Sequence, residues 1–159
     1  MTLPIQLALS TIMVAFTIGV HLAGLALLLR LVRRHRSRRP NGTAHLHDGI
    51  GILAAAFGLF VLHAIEIWAY AGLYAQAGAV RTFEEALYFS TSTYATIGYG
   101  DVVLVPDWRV LGAIEGANGV ILLGWSTAFF VAVVNRIRLL EFELQTSQKP
   151  DRGLPESEP

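Results

Sequence analysis

The chain has 159 residues, 53% of them hydrophobic and 15% charged, with a positive mean hydropathy. That balance excludes an ordinary soluble domain and puts the membrane class first. Twelve basic and twelve acidic residues cancel, so net charge points to no nucleic-acid partner, and the absence of cysteine excludes disulfides, thiolate metal sites and cysteine nucleophiles.

Crossing a bilayer core of about 30 Å takes roughly 20 mainly apolar residues in a helix. The first such stretch runs over residues 5–31, inside an N-terminal segment of residues 1–32, with no charge before Arg30. No basic segment precedes it, it is longer than a signal h-region, and no small-residue cleavage pattern comes after it, so it reads as a retained span. His21 within it reads as a lone, buried, neutral histidine. The extra span itself suggests no chemistry, only a place at the periphery or a role in orientation.

Arg30, Arg33, Arg34, Arg36, Arg38 and Arg39 then open a short basic loop, residues 33–47. The positive-inside rule makes this loop cytoplasmic and puts the N-terminus outside. Contact of Arg33–Arg39 with anionic lipid is an ordinary by-product of such a cluster.

The second span covers residues 49–73, with His63 and Glu66 as its polar exceptions. These two lie three apart on one helix face. Three readings stand: a paired carboxylate at a helix interface, a support in which Glu66 bonds Ser92 or Tyr94, and a metal site, for which two ligands are fewer than are needed. Trp68, Tyr70 and Tyr74, with Trp108 farther on, suit an interfacial aromatic belt.

One segment, residues 48–136, holds this span, a short helix and the third span. Thr82 with Glu84 and Glu85 is a helix start, a hydroxyl cap with acids in the first turn. The apolar stretch over residues 83–95 is too short to cross, and the two glycines after it stop the helix. A short helix with a non-helical return is a re-entrant loop, tolerated at membrane depth only where protein buries it or it lines a wet path.

The third span covers residues 110–135, with Glu115 near its start as a second support carboxylate and Arg136 and Arg138 at its inner end. Both basic groups therefore agree on one topology, with the C-terminus cytoplasmic. Leu139 to Leu144 can extend the helix into a short tail, residues 137–159. Ser147, Lys149, Pro150, Gly153 and Pro155 read as a disordered end.

Residues 96–101 read Thr96, Ile97, Gly98, Tyr99, Gly100, Asp101. This segment resembles the signature of the potassium-channel family in all six positions, and Thr93 fits that family's pore-helix pattern. The resemblance covers residues 49–136 and implies an all-α membrane protein: three transmembrane helices, a re-entrant pore helix and a selectivity-filter loop. It implies K+ ions held at Thr96, Ile97, Gly98 and Tyr99, with Asp101 at the outer mouth. Backbone carbonyls would replace the ion's hydration shell, and Gly98 and Gly100 enter positive-φ regions without steric cost. Ile97 and Tyr99 would point away from the axis and pack behind it. One chain carries one such segment, so a homotetramer is implied.

By the same resemblance Gly119 is either a gating hinge or a close-packing position in the inner helix. Ser126 and Thr127 are cavity candidates, and Phe130 and Val134, with Phe129 and Val133, are candidates for a constriction. The expected function is a potassium-selective channel subunit in a bacterial inner membrane, with no cofactor beyond K+. The alternatives are a less selective cation channel of the same architecture and a non-conducting scaffold subunit. The chain offers no nucleophile–base set, so an enzyme is not expected.

Overall fold

The computed structural model describes residues 2–37 and 44–147. Four helices occur in chain order: α1 (Leu3–Ser37), α2 (Ala44–Gln76), α3 (Phe83–Tyr94) and α4 (Arg109–Ser147), with a three-ten turn, Pro106–Trp108, leading into α4. Three stretches are long and apolar enough to span a membrane: Leu3–Arg34, Gly49–Gln76 and Pro106–Arg136. No strand occurs among the described residues. The chain is an all-α, multi-pass membrane protein, because a helix satisfies its own backbone where lipid offers no partner.

The helices outrun the expected spans. α1 continues to Ser37 and α2 begins at Ala44, so most of the residue 33–47 stretch read as a loop is helical; residues 38–43 lie outside the described residues. α4 likewise continues to Ser147, and the end read as disordered, residues 148–159, lies outside the described residues. A helix once nucleated adds a hydrogen bond per residue, and arginine, leucine and glutamate are good helix formers, so polar flanks extend it at little cost.

α1 packs against both α2 and α4, α3 is held between α2 and α4, and α2 also touches α4. Small residues set the approach of α1 to α2. The Cβ that Gly24 lacks would strike Leu62, and the one Gly58 lacks would strike Leu28, so each glycine receives a leucine from the facing helix. Ala55 and Val133 anchor an apolar cluster with Val32, Ile52, Phe129 and Phe130. A larger cluster around Tyr70, Ala71, Tyr74, Ala86, Leu104 and Leu111 surrounds α3. Tyr74 meets Phe89 and Trp108 edge-on, with ring centroids 5.6 and 6.3 Å away.

Tyr70 and Tyr74 are therefore core residues and not belt residues. Both are buried, and their hydroxyls find partners on α4. Their position near a helix end suggested an interface, but α3 and α4 cover that face of α2. Trp68, on the other face, is 61% exposed.

α2 ends in a paired reversal. Ala79 N–H bonds the Tyr74 carbonyl, Gly78 N–H bonds that of Ala75, and Gly78 has φ +66°. α3 then starts as expected: Thr82 Oγ1 accepts from Glu85 N–H at 3.1 Å, and Glu85 returns a carboxylate oxygen to Arg81 N–H at 3.0 Å.

Candidate functional site

The loop leaving α3 is organised by the carbonyls of the last helical turn. Ala95 N–H bonds Thr91 O, and Thr96 N–H bonds Thr93 O, each at 3.0 Å. Ser92 O accepts twice, from Ile97 N–H at 2.8 Å and Gly98 N–H at 3.1 Å. The loop's amides are thus drawn back onto the helix.

The dihedrals beyond that point alternate in sign. Thr96, Gly98 and Gly100 have φ of +61°, +57° and +79°, while Ile97 and Tyr99 between them are on the negative side. In an ordinary strand successive residues face opposite ways. Alternating left- and right-handed residues instead turns successive peptide planes the same way, so that their carbonyls can share one side. Gly98 and Gly100 adopt this at no steric cost. Thr96 does not: a β-branched side chain at positive φ costs about 1–2 kcal/mol. Nothing in the residue pattern around Thr96 signals this strain. A row whose carbonyls share one side would present oxygens there, and the amides of Ile97 and Gly98 are already taken by Ser92 O.

At the far end Tyr88 donates its hydroxyl proton to Asp101 Oδ2 at 2.8 Å. That bond holds the Tyr88 phenol above its ordinary pKa, because ionisation would remove the donated proton beside a carboxylate. Ile97 and Tyr99 are 53% and 74% exposed. Within one chain both side chains are left uncovered.

Behind the loop sits a buried polar layer. Glu66 Oε2 accepts from the Tyr94 hydroxyl, and His63 Nδ1 lies 3.2 Å from the same oxygen and 3.0 Å from the Tyr94 oxygen. His21 Nδ1 lies 2.8 Å from Glu66 Oε1. Of the two expected partners of Glu66, Tyr94 is present and Ser92 is not. The Ser92 hydroxyl donates to Phe89 O, one turn back in its own helix, and only its main chain reaches the loop. His21 is buried but not lone, since α1 delivers it to a carboxylate of α2.

A second carboxylate, Glu115 of α4, accepts hydroxyl protons from Ser90 and, at 2.7 Å, from Tyr74. Two carboxylates from two long helices therefore hold α3, Glu66 at Tyr94 and Glu115 at Ser90, one turn apart on the same face. Asn118 Nδ2 adds a donor to Thr17 Oγ1 at 2.8 Å and a longer one to the Tyr70 hydroxyl at 3.4 Å, joining α4 to α1 and α2. Sequence alone does not single out Thr17 or Asn118, each being one polar residue in an apolar run.

The candidates on α4 divide. A Cβ on Gly119 would collide with the Tyr94 carbonyl oxygen and lie 3.0 Å from its Cα, so close packing is the visible role there, and α4 runs through without a break. Gly116 passes Thr93 in the same way, 3.4 Å from its oxygen. Ser126 is buried with its Oγ 3.5 Å from His21 Nε2, so it faces α1 and not an open cavity. Phe130 packs with Phe129 on the Ala55–Val133 cluster, and Val134 is half-buried beside it. Only Thr127 of these is exposed; its hydroxyl donates to Leu123 O. One exposed stripe of α4 is Ala113, Ala117, Val120, Gly124, Ala128 and Val131, spaced three or four apart, with Ile121, Trp125 and Ala132 exposed along one edge of it. α4 is apolar almost all round, so no periodicity marked that face in advance.

A family model described as an ion channel matches residues 51–136, more than half the chain and nearly all of α2, α3 and the apolar part of α4. Among curated proteins and solved structures, no match is found.

Proposed function

The chain belongs to the ion channel family, and on that premise we propose that it is a subunit of a potassium-selective channel, a homotetramer that conducts K+ passively across the membrane. The observation that carries this reading is the alternation of φ sign through Thr96–Gly100, with the amides of Ile97 and Gly98 tied back to Ser92. An ion giving up its water needs several oxygens at once and no competing N–H groups. The carbonyls of Thr96, Ile97, Gly98 and Tyr99, with the Thr96 hydroxyl at the inner mouth, are our assignment for those oxygens. The C-terminal end of α3, carrying the negative end of its dipole, lies beside Thr96 and favours a cation there.

One such row cannot surround an ion, and four copies can. The exposed side chains of Ile97 and Tyr99 give neighbouring copies an apolar surface to cover. We place Asp101 at the outer mouth and the arginines at the end of α1 and beyond it on the cytoplasmic side, in contact with anionic lipid. Glu66 and Glu115 support the loop by holding α3, while Thr127 is kept as a cavity residue. Gly119 serves close packing first, with bending as a second role.

Reconstitution into liposomes, with K+ and Na+ on opposite sides, tests the reading. A reversal potential close to the K+ equilibrium value is expected, abolished by Gly98→Ala. A reversal potential near zero replaces it with the less selective channel, and absence of flux at every pH and voltage leaves the scaffold. Glu66→Gln is expected to speed the decline of K+ current or lower K+ over Na+ preference; no change in either removes Glu66 from loop support.

A further inference from the structure

The layer behind the loop contains more ligand chemistry than a support carboxylate requires. His21 of α1, with His63 and Glu66 of α2, brings two imidazole nitrogens and a carboxylate within 4.8 Å of one another. The Tyr94 oxygen of α3 completes the group, 3.0 Å from His63 Nδ1. From these placements we propose that His21, His63 and Glu66, with Tyr94 as the fourth ligand, form a binding site for a divalent transition metal of the zinc class.

Charge is the first argument. The described partners of Glu66 are His21, His63 and Tyr94, with no lysine or arginine among them. With neutral imidazoles and an ionised carboxylate the layer carries one uncompensated negative charge at membrane depth, a costly arrangement. A divalent cation reverses that balance.

Geometry is the second. Four ligands about 2.0–2.1 Å from a tetrahedral ion stand roughly 3.3 Å apart. His21 Nδ1 stands 2.8 Å from Glu66 Oε1, while His63 Nδ1 stands 3.2 Å from Glu66 Oε2 and 3.0 Å from the Tyr94 oxygen; one ligand atom from each of His21, His63 and Glu66 lies within 4.8 Å of the others, a spread that side-chain rotation can close onto one ion. Two imidazoles and oxygen ligands suit Zn2+, Co2+ or Ni2+ and not an alkali ion, so this layer is distinct from the carbonyl row. With Nδ1 on the metal, His21 keeps its Nε2 beside Ser126 Oγ at 3.5 Å, an outer partner of the kind metal-bound histidines use. His63 Nε2 has no partner among the described residues.

The consequence is mechanical. One ion would join α1, α2 and the last residue of α3, two positions before Thr96, and so gives the first helix a role that its sequence does not suggest. The site does not depend on conduction.

The test is a titration of the chelator-stripped, full-length protein in detergent with Co2+ alone. One Co2+ per chain is expected, with the intense visible bands of a four-coordinate ion, displaced by Zn2+. His63→Gln and Glu66→Gln should each weaken binding about tenfold or more. His21→Cys should retain binding and add a thiolate-to-cobalt charge-transfer band in the near ultraviolet, which reports direct ligation in whichever protein elutes as the folded species. The weak spectrum of aqueous Co2+ throughout, or a His21→Cys protein that binds without that band, overturns the site and leaves a hydrogen-bonded layer that shares protons. K+ flux measured on the same preparation reports conduction separately: cobalt binding without flux sinks the channel reading alone, and flux without cobalt binding sinks this one alone.

Discussion

Gly119 and Gly124 stand five residues apart on α4 and meet opposite surroundings. The Cβ missing from Gly119 would enter the Tyr94 main chain, whereas nothing lies within 4 Å of the one missing from Gly124. Gly119→Ala should therefore cost about 1–3 kcal/mol, since backbone cannot yield as a side-chain tip can. Gly124→Ala should leave stability unchanged or raise it by up to about 1 kcal/mol through helix propensity. Denaturant unfolding of the two variants in detergent separates them, and a stable Gly119→Ala protein with altered opening would restore bending as that residue's main role. Tyr88 and Asp101 make a residue-scale prediction in pH. The hydrogen bond raises the phenol's pKa, so the contact is fully present below the ordinary tyrosine value of about 10 and is lost as pH rises through the raised one. The tyrosinate absorbance of wild type minus Tyr88→Phe should thus appear at higher pH than an ordinary tyrosine, and Asp101→Asn should move it back down.

Between elements, the polar contacts that fix α3 depend on what each carboxylate can find. Tyr74→Phe removes one of two hydroxyl donors from the buried Glu115 and leaves Ser90 as the other. An under-satisfied buried acceptor costs about 1–3 kcal/mol, and the loss should appear as a lower unfolding midpoint, with the Phe89 and Trp108 ring contacts kept. Local signals made the ends of α3 readable: a hydroxyl cap three residues before a glutamate, and two glycines at its far end. That Glu66 needs a partner was readable too, because a carboxylate in an apolar run must be paired, and α3 was one of the places for it. Which partner was not. Tyr94 and Ser92 lie two apart, and only the rotation of α3 against α2 chooses between them. The arrival of His21 was beyond reach for the same reason, since no pattern in α1 records which of its faces meets α2. Nor could a pattern tell that Ser126 is buried beside His21 while Thr127 is exposed, α4 being apolar on nearly every side.

For the whole molecule, the decisive surface is the face of α4 that α1, α2 and α3 leave uncovered. Apart from Trp125 at its edge it carries small and β-branched side chains, with Ala117, Gly124, Ala128 and Val131 in line, while Leu122 and Val133 are buried against the other helices. α1 packs on α2 and α4 and leaves that face uncovered. If four chains meet around the Thr96–Gly100 rows, this face of α4 lines the route below them. The absence of native cysteine makes the arrangement testable with single replacements. Ala128→Cys and Val131→Cys should react with a positively charged, membrane-impermeant thiol reagent applied from the cytoplasmic side, and K+ flux should fall as they do. Leu122→Cys should stay unmodified over the same interval, its side chain having no route to water. Reaction at Leu122→Cys with none at Val131→Cys would mean that α4 turns its other face inward, and that the packing of α1 against it changes when the chains assemble. The Ala128 and Val131 pair is the stricter half of this test, because lipid-facing thiols would also escape a charged reagent, and only a wet path explains both modification and block.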